Sequence, residues 1–216
     1  SILFGLFALT LPHTPPKKDV AGANKFAFVE TFRVLLSSPF LIVLFIVTAI
    51  DATVHDGFFF FAFSYIGKVG VPQNWVQAAM TVGQLAEIGT MAILSFVLVR
   101  LGWRYTMAIG VFGHAARFLI WAGIFNSAGE SWVPWVAVGA NVIHGICYAF
   151  FFATLYIFVD KVFPKDVRTS AQGLFNFLVF GVGPIVSRFL WRSVQAGFTD
   201  GEGATAVVRY DWVLLI

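Results

Sequence analysis

The stretch WVQAAMTVGQLAEIGTMAILSFVLV, residues 75–99, decides how this chain folds. About 20 apolar residues suffice to cross a bilayer as a helix, and the one charged side chain in this stretch is Glu87, with Gln84 about a turn before it. A charged group at mid-bilayer depth costs about 2.5 to 3.5 kcal/mol on insertion scales, so it is usually found facing a partner or a water-filled cavity. We therefore predict that Glu87 takes part in moving a solute.

The composition of the whole chain is that of a polytopic membrane protein. Of its 216 residues, 59% are hydrophobic and 12% are charged, against about 25% charged in ordinary soluble domains, and the mean hydropathy is +0.84. The pI near 9.2 comes from Lys and Arg in short loops between apolar runs, which indicates membrane topology rather than nucleic-acid binding.

The apolar runs predict an all-α, polytopic transmembrane bundle. Residues 1–10 are expected to end one spanning helix, and 11–38 to form a cytoplasmic central loop with an amphipathic helix. The C-terminal bundle, 39–216, is expected to contain spans at about 39–65, 75–99, 105–126, 132–159 and 170–191 and a truncated span at 209–216. Because the chain opens within one apolar run and stops as another begins, we expect it to be part of a longer protein.

The distribution of Lys and Arg predicts the orientation of the bundle. The connections at 11–38, 100–104 and 160–168 contain 4, 2 and 3 of these residues, whereas those at 66–74 and 127–131 contain 1 and 0. The positive-inside rule places the first set in the cytoplasm. Alternating spans after one long cytoplasmic loop are expected of the C-terminal six-helix half of a major facilitator transporter, whose substrate site lies at the midplane between two halves. The chain would then hold the end of helix 6, helices 7 to 11 and the start of helix 12.

The first complete span contains a polar cluster of Asp51, His55 and Asp56. Asp51 and His55 are four residues apart and share a helix face, so they are predicted to form a carboxylate and imidazole pair that exchanges a proton. Alternatively, the span is shorter and tilted, and this cluster lies in an external vestibule.

Two further spans contain polar groups on one face. In the second span, Gln84 and Glu87 offer donors and acceptors suited to ribose hydroxyls or a nucleobase edge. In the next span, Arg117 shares a helix face with His114. The alternative for Glu87 is that it is a structural ion-pair partner of Arg117.

The fourth span carries a stripe of Asn141, His144, Tyr148 and Phe151. In this stripe aromatic rings are positioned to stack on a flat base while His and Asn supply hydrogen bonds. The alternative is that Tyr148 and Phe151 only pack.

Enzymatic chemistry has little support in the sequence. There is no phosphate-binding loop, metal-ligand cluster or nucleophile elbow, and the single cysteine, Cys147, cannot form an internal disulfide. We therefore expect no metal, no cofactor other than the proton as coupling ion, and no enzyme. An intramembrane enzyme using His144 and Glu87 as acid and base is the alternative, but no nucleophile or metal set accompanies them.

Three stretches resemble the nucleoside:proton symporter family of the major facilitators, the bacterial nucleoside permeases. They are LTLPHTP at 9–15, GQLAE at 83–87 with AARF at 115–118, and HG at 144–145 through VDK at 159–161 to RTSAQG at 168–173. The last is the most specific, because a carboxylate-lysine helix end followed by Arg-x-Ser-Ala-Gln-Gly at this spacing rarely arises by chance.

The resemblance implies proton-coupled nucleoside uptake across the bacterial inner membrane, with the missing N-terminal half of the same chain completing the cavity. It implies that Gln84 and Glu87 bind the nucleoside, and that a helix 7 residue contacting the base falls at or next to His55. It also implies that Tyr148 is the helix 10 aromatic, with His144 one turn earlier.

One departure from the family pattern concerns the proton. The better-known permeases have an acidic residue directly after the helix 10 aromatic, where this chain has Ala149. Either Glu87, Asp51 or Asp56 carries the proton instead, or the coupling or the substrate differs. The rival hypotheses are therefore a symporter for another polar solute, such as a sugar or small metabolite, and a non-transporting membrane sensor.

Overall fold

The computed structural model describes residues 2–12, 27–201 and 207–216, with side chains from residue 6 onward. Most of the predicted central loop, including Lys17, Lys18 and Lys25, lies outside the described residues. The elements in chain order are α1 (Ile2–Leu9), α2 (Ala27–Ser37), α3 (Pro39–Lys68), α4 (Gln73–Phe125), α5 (Val133–Gly139), α6 (Asn141–Cys147), the π-helix π1 (Tyr148–Ala153), α7 (Thr154–Val162), α8 (Arg168–Phe177), the π-helix π2 (Leu178–Val182), α9 (Gly183–Gly197), β1 (Thr199–Asp200), β2 (Val207–Val208) and α10 (Tyr210–Val213).

Four helices within the described ranges are long and apolar enough to cross a membrane. They are Pro39–Lys68, Gln73–Phe125, Val133–Val162 and Arg168–Gly197. The third joins α5, α6, π1 and α7 into one rod, and the fourth joins α8, π2 and α9 in the same way; we call them helix 133–162 and helix 168–197. Large apolar side chains remain exposed along the bundle, as expected of a surface that meets lipid; they include Ile88, Phe96, Val99, Phe112 and Phe189.

The second and third predicted spans are joined in α4, which reverses direction at Gly102. This residue has φ 73° and ψ 174°, a left-handed backbone conformation that glycine adopts without a steric penalty. Both arms, 73–101 and 103–125, contact α6: the Asn141 amide donates to the Ala79 carbonyl of the first arm at 3.2 Å, and Arg117 of the second arm lies 2.7 Å from His144. Helix 133–162 is therefore held between the two arms.

The first and last long helices form a second layer beside this group. Trp191 of α9 donates its indole N–H to the Thr53 carbonyl of α3 at 3.1 Å. Nearer the C-terminal end of α3, the Tyr65 ring stacks on Trp121 with centroids 4.6 Å apart, and its hydroxyl donates to the Trp121 carbonyl. These buried aromatic contacts fix the rotation of α3, which decides where its polar groups point.

Two smaller elements lie at the ends of the bundle. In the predicted external connection, β1 pairs antiparallel with β2, and Thr199 faces Val208. At the opposite end of the chain, α2 buries Thr31 and Leu35, and the Thr31 hydroxyl lies 3.5 Å from the Val167 carbonyl just before α8. The described part of the predicted amphipathic helix thus packs against the bundle.

Candidate functional site

His55 is the point at which α3 meets helix 133–162. Its ring stacks on His144 with centroids 5.0 Å apart and planes 18° apart, and the Tyr148 ring lies 5.9 Å away. Phe152 and Phe59 contact it edge-on at 5.1 Å and 5.5 Å. The structure therefore brings together His55, His144 and Tyr148, three of the residues that the sequence nominated for substrate binding.

Glu87 lies against the same helix on its other flank. A Cβ placed on Gly145 would clash with the Glu87 backbone nitrogen, so the first arm of α4 crosses helix 133–162 one residue after His144. The side chain of Glu87 is half-buried and that of Gln84 is exposed. Within the described ranges Glu87 forms no ion pair, so the alternative pairing with Arg117 is not present.

Arg117 is fully buried and is partnered by imidazoles. One guanidinium nitrogen lies 2.7 Å from His144 Nδ1 and another lies 3.2 Å from His114 Nδ1. The guanidinium carbon is also 3.7 Å from the centre of the Phe58 ring. Across the described part of the chain no carboxylate lies within 4.0 Å of Arg117, so the predicted structural ion pair is replaced by a histidine and aromatic cage.

The geometry around Arg117 determines the protonation of two histidines. A guanidinium has donors and no acceptor, so Nδ1 of His114 and Nδ1 of His144 must both accept. Each ring then carries its single proton on Nε2 and is neutral, because a doubly protonated imidazole has no acceptor left.

Asp51 pairs with a different histidine from the one that helical spacing suggested. Its Oδ2 lies 3.6 Å from His114 Nε2 on the second arm of α4, whereas His55 turns its ring onto helix 133–162. Neither Asp51 Oδ2 nor His114 Nε2 has a hydrogen-bond partner in the described residues. The predicted Asp51 and His55 pair is therefore wrong in its partner, since spacing shows which residues share a face but not which neighbour each side chain meets.

The other polar candidates separate from this group. Asp56 is half-buried and makes no ion pair with another described residue. Asn141 is buried, and its amide bridges two helices. Phe151 is 1% exposed and belongs to the core, so it does not share the outward direction of Tyr148. Asp51 and His114 also line a cavity of about 420 Å³ whose other walls are mainly apolar.

Sequence reasoning left out several features that shape this site. The sequence indicates His114 only as a neighbour of Arg117 on one helix face, and its position three residues before Arg117 is the signal that points to their contact. Phe58 was not singled out, because Phe occurs 26 times in the chain. The π-helix that begins at Tyr148 has no sequence signature, yet such segments are frequent at functional sites.

The described residues contain no group of three or more His, Cys, Asp or Glu side chains arranged to hold a metal ion. Two of the three described imidazoles use Nδ1 to accept from Arg117, which removes a lone pair that a metal would need. The arrangement is suited to binding a polar, flat solute and to holding a proton.

Comparison with solved structures defines the class of fold. The chain is similar to the crystal structure of the nucleoside transporter NupG in its D323A mutant form, with a TM-score of 0.77 and 22% identity over 99% of this chain and 54% of that one. A second crystal structure of nucleoside transporter NupG gives a TM-score of 0.74 at 20% identity. The protein thus shares the all-α transmembrane fold of about half of that structure.

Sequence comparison identifies the family. The model of the family described as "Nucleoside H+ symporter" matches residues 1–216, and the chain belongs to that family. It is 32% identical over 188 residues to the putative nucleoside transporter YegT of Escherichia coli K12, covering 86% of this chain and 43% of that protein. It is 26% identical over 206 residues to the xanthosine permease (88% and 47%) and 27% identical over 223 residues to nucleoside permease NupG (94% and 51%) of the same organism.

These findings confirm the predicted resemblance and the all-α membrane fold. The relatives are named as transporters and permeases, and the family to which the chain belongs is described as one of nucleoside symporters, not of enzymes. It spans about half the length of the curated relatives it matches.

Proposed function

We propose that the intact protein takes up nucleosides across the bacterial inner membrane together with protons. The single observation that supports this most is the position of Glu87, a half-buried carboxylate midway along a spanning helix, beside the helix that carries His144 and Tyr148. An acid retained there against its insertion cost has a ligand or a proton to bind.

We call the face of the bundle that carries Gln84 and Glu87 the open face, and its side chains are suited to binding a nucleoside. The Gln84 amide supplies two donors and an acceptor and the Glu87 carboxylate accepts from hydroxyls, which suits a ribose or a base edge. Tyr148 and His55 present flat rings 5.9 Å apart, and base–aromatic stacking contributes about 1 to 3 kcal/mol per base. Gln84 is exposed, Glu87 and Tyr148 are half-buried, and we propose that the N-terminal half of the same chain covers them.

The proton must be carried by an acid other than one at position 149. Ala149 is fully buried and packs with Leu94 and Phe150, so there is no carboxylate at that point of helix 133–162. Glu87, Asp51 and Asp56 are therefore the three candidate acids for carrying the proton. Coupling requires that the proton and the nucleoside each bind differently to the outward-facing and inward-facing states.

Uridine uptake by the full-length protein tests this proposal. With Glu87→Gln, we expect accumulation driven by a pH gradient to be lost or strongly reduced, because the amide cannot supply a carboxylate for the ligand or the proton. The matched control is Glu130→Gln, an exposed acid in the connection before α5, which should accumulate uridine like the wild type. If Glu87→Gln accumulates uridine normally with and without the gradient, Glu87 has no part in the mechanism.

A symporter for another polar solute is the second candidate, and the absence of an acid at position 149 favours it. Competition of uptake by a nucleoside panel separates the two. Nucleosides compete at low concentration if the proposal is right, whereas a sugar or small metabolite competes instead if the second candidate is right.

A further inference from the structure

The side chains around Arg117 form one continuous chain of contacts from a buried acid to His55, whose ring lies 5.9 Å from that of Tyr148. We call Asp51, His114, Arg117, His144 and His55 the Arg117 cluster. Asp51 faces His114 at 3.6 Å, His114 and His144 both accept from Arg117, and His144 stacks on His55. Asp51, His114, Arg117 and His144 are each at most 3% exposed.

The charges within this cluster require a counter-charge for Arg117. A guanidinium does not lose its proton in proteins, and an uncompensated buried ion costs several kcal/mol. The cation–π contact with Phe58 and the two imidazole acceptors offset part of this cost. Asp51 is the one acid within the cluster and contacts Arg117 through His114, so its ionised form balances the charge of Arg117.

We propose that Asp51 is the residue that binds the transported proton, and that His114 and Arg117 transmit its change of charge to the nucleoside site. This inference rests on the proposed function and deepens it, because it chooses among three candidate acids. The proton adds to a carboxylate oxygen of Asp51 from water and returns to water from the same oxygen, and no other bond is made or broken.

The direction of the imidazole hydrogens makes Asp51 the acceptor. Because Arg117 occupies Nδ1 of His114, the ring presents Nε2–H towards Asp51 Oδ2. At 3.6 Å this is an electrostatic contact and not a hydrogen bond, and it is strongest when the carboxylate is ionised, because the negative charge then attracts the N–H dipole. Protonation of Asp51 weakens its contact with His114 and leaves the cluster with the net positive charge of Arg117. Arg117 is hydrogen-bonded to His144, which stacks on His55.

The other groups around Asp51 leave this assignment unchanged. The titratable or charged groups that face it are His114 and Arg117 from the second arm of α4, His144 and Cys147 from α6, and His55 on α3. Helix 168–197 presents Ser187 and Trp191 on its buried face, and the residues of the C-terminal segment that line the cavity beside Asp51 are apolar, Val213 to Ile216. Asp56 forms no ion pair with any of these, and Glu87 lies on the open face.

Transport by the full-length protein in liposomes separates a proton role from a structural one. We expect Asp51→Asn to lose accumulation of uridine driven by a pH gradient, so that inside and outside concentrations become equal, while exchange of internal for external uridine continues. Glu130→Gln should retain both. If Asp51→Asn still accumulates uridine, or if Asp56→Asn is the variant that loses accumulation and keeps exchange, the inference is wrong.

Infrared difference spectroscopy of the purified full-length protein tests the proton site without any nucleoside. The carboxyl C=O band that appears on lowering the pH should be absent in Asp51→Asn, shifted in Asp51→Glu and displaced to a different pH in His114→Gln. A band that is unchanged in Asp51→Glu would overturn the inference. The Asp51→Glu variant also provides the test if Asp51→Asn fails to fold. If the wild type transports no nucleoside, the proposed function is wrong, but the infrared test of Asp51 as the proton-binding residue remains valid.

Discussion

Arg117 shows how a buried cation is accommodated here without an adjacent carboxylate. Its guanidinium lies 3.7 Å from the Phe58 ring and donates to two neutral imidazoles, which places the balancing acid, Asp51, one residue further away. Arg is suited to this position because its planar fork both stacks on an aromatic face and donates in several directions. A lysine could keep the charge but could not reproduce the two hydrogen bonds and the stacked geometry together.

At Tyr148, we expect loss of the ring to weaken nucleoside binding. Tyr148→Ala removes a stacking surface of about 1 to 3 kcal/mol, so the half-saturation concentration for uridine should rise at least about fivefold, since 1.4 kcal/mol is a factor of ten. Tyr148→Phe keeps the ring and should stay close to wild type. Direct binding to the purified full-length protein, measured by calorimetry, checks this.

The control for the aromatic variant is Phe112→Ala, which removes a ring that is 72% exposed on the second arm of α4. Equal loss of affinity in Tyr148→Ala and Phe112→Ala would show that the effect is general destabilisation. Unchanged affinity in Tyr148→Ala would remove the ring from the site.

Among the elements, the two-armed α4 organises the bundle. The reversal at Gly102 lets one helical segment enclose helix 133–162 from two sides, so that Glu87 arrives on one flank and Arg117 on the other. Within helix 133–162, π1 begins at Tyr148, and helix 168–197 contains a second π-helix, π2. A π-helical turn adds a residue to the helix, which changes the direction of the side chains that follow.

We expect the crossing at Gly145 to tolerate no side chain. A Cβ there would clash with the Glu87 nitrogen and lie 2.5 Å from the Ala86 carbonyl carbon, and a backbone atom cannot move aside without its neighbours. Gly145→Ala should cost about 1 to 3 kcal/mol through overpacking, lower the Tm of the detergent-solubilised protein and weaken uridine binding.

Gly123→Ala is the matched control for this crossing, because no atom lies within 4 Å of a Cβ at that helical position. Helix propensity favours alanine there by about 1 kcal/mol, so its Tm should be unchanged or slightly higher. A Gly145→Ala variant as stable as Gly123→Ala would contradict the close crossing.

At the scale of the whole molecule, we expect the orientation of the bundle in the membrane to follow from charge. The connection around residue 165 carries Lys161, Lys165 and Arg168, whereas the connection at 127–131 carries no Lys or Arg, so the positive-inside rule predicts that the first lies in the cytoplasm. The open face carries Gln84 and Glu87, which in the proposed transporter meet the other half of the same chain.

Cysteine labelling of the full-length protein checks this orientation. In a background where Cys147 and any other cysteine are replaced, a membrane-impermeant maleimide should label Glu130→Cys in intact cells. It should label Lys165→Cys only after the inner membrane is made permeable. Both positions are exposed, so failure to react reflects the membrane barrier. The reverse pattern would invert the topology.

Much of this architecture could be predicted from local sequence because hydropathy acts over single helices. The stretch at 75–99 must cross the bilayer, since no water is available there for exposed backbone groups, and Glu87 within it had to face a polar partner or opening. The motifs at 83–87 and 168–173 identified the family for the same local reason, and the comparison confirmed it.

The pairing of the buried polar groups was decided only by the tertiary structure. Asp51 meets His114 across 63 positions of chain, and Arg117 meets His144 across 27, contacts set by the reversal at Gly102 and by the rotation of each helix against its neighbours. A spacing of four residues placed Asp51 and His55 on one face, but packing turned the first towards α4 and the second towards helix 133–162. Periodicity along one helix determines which side chains lie on the same face. The neighbouring helices determine which residues those side chains contact.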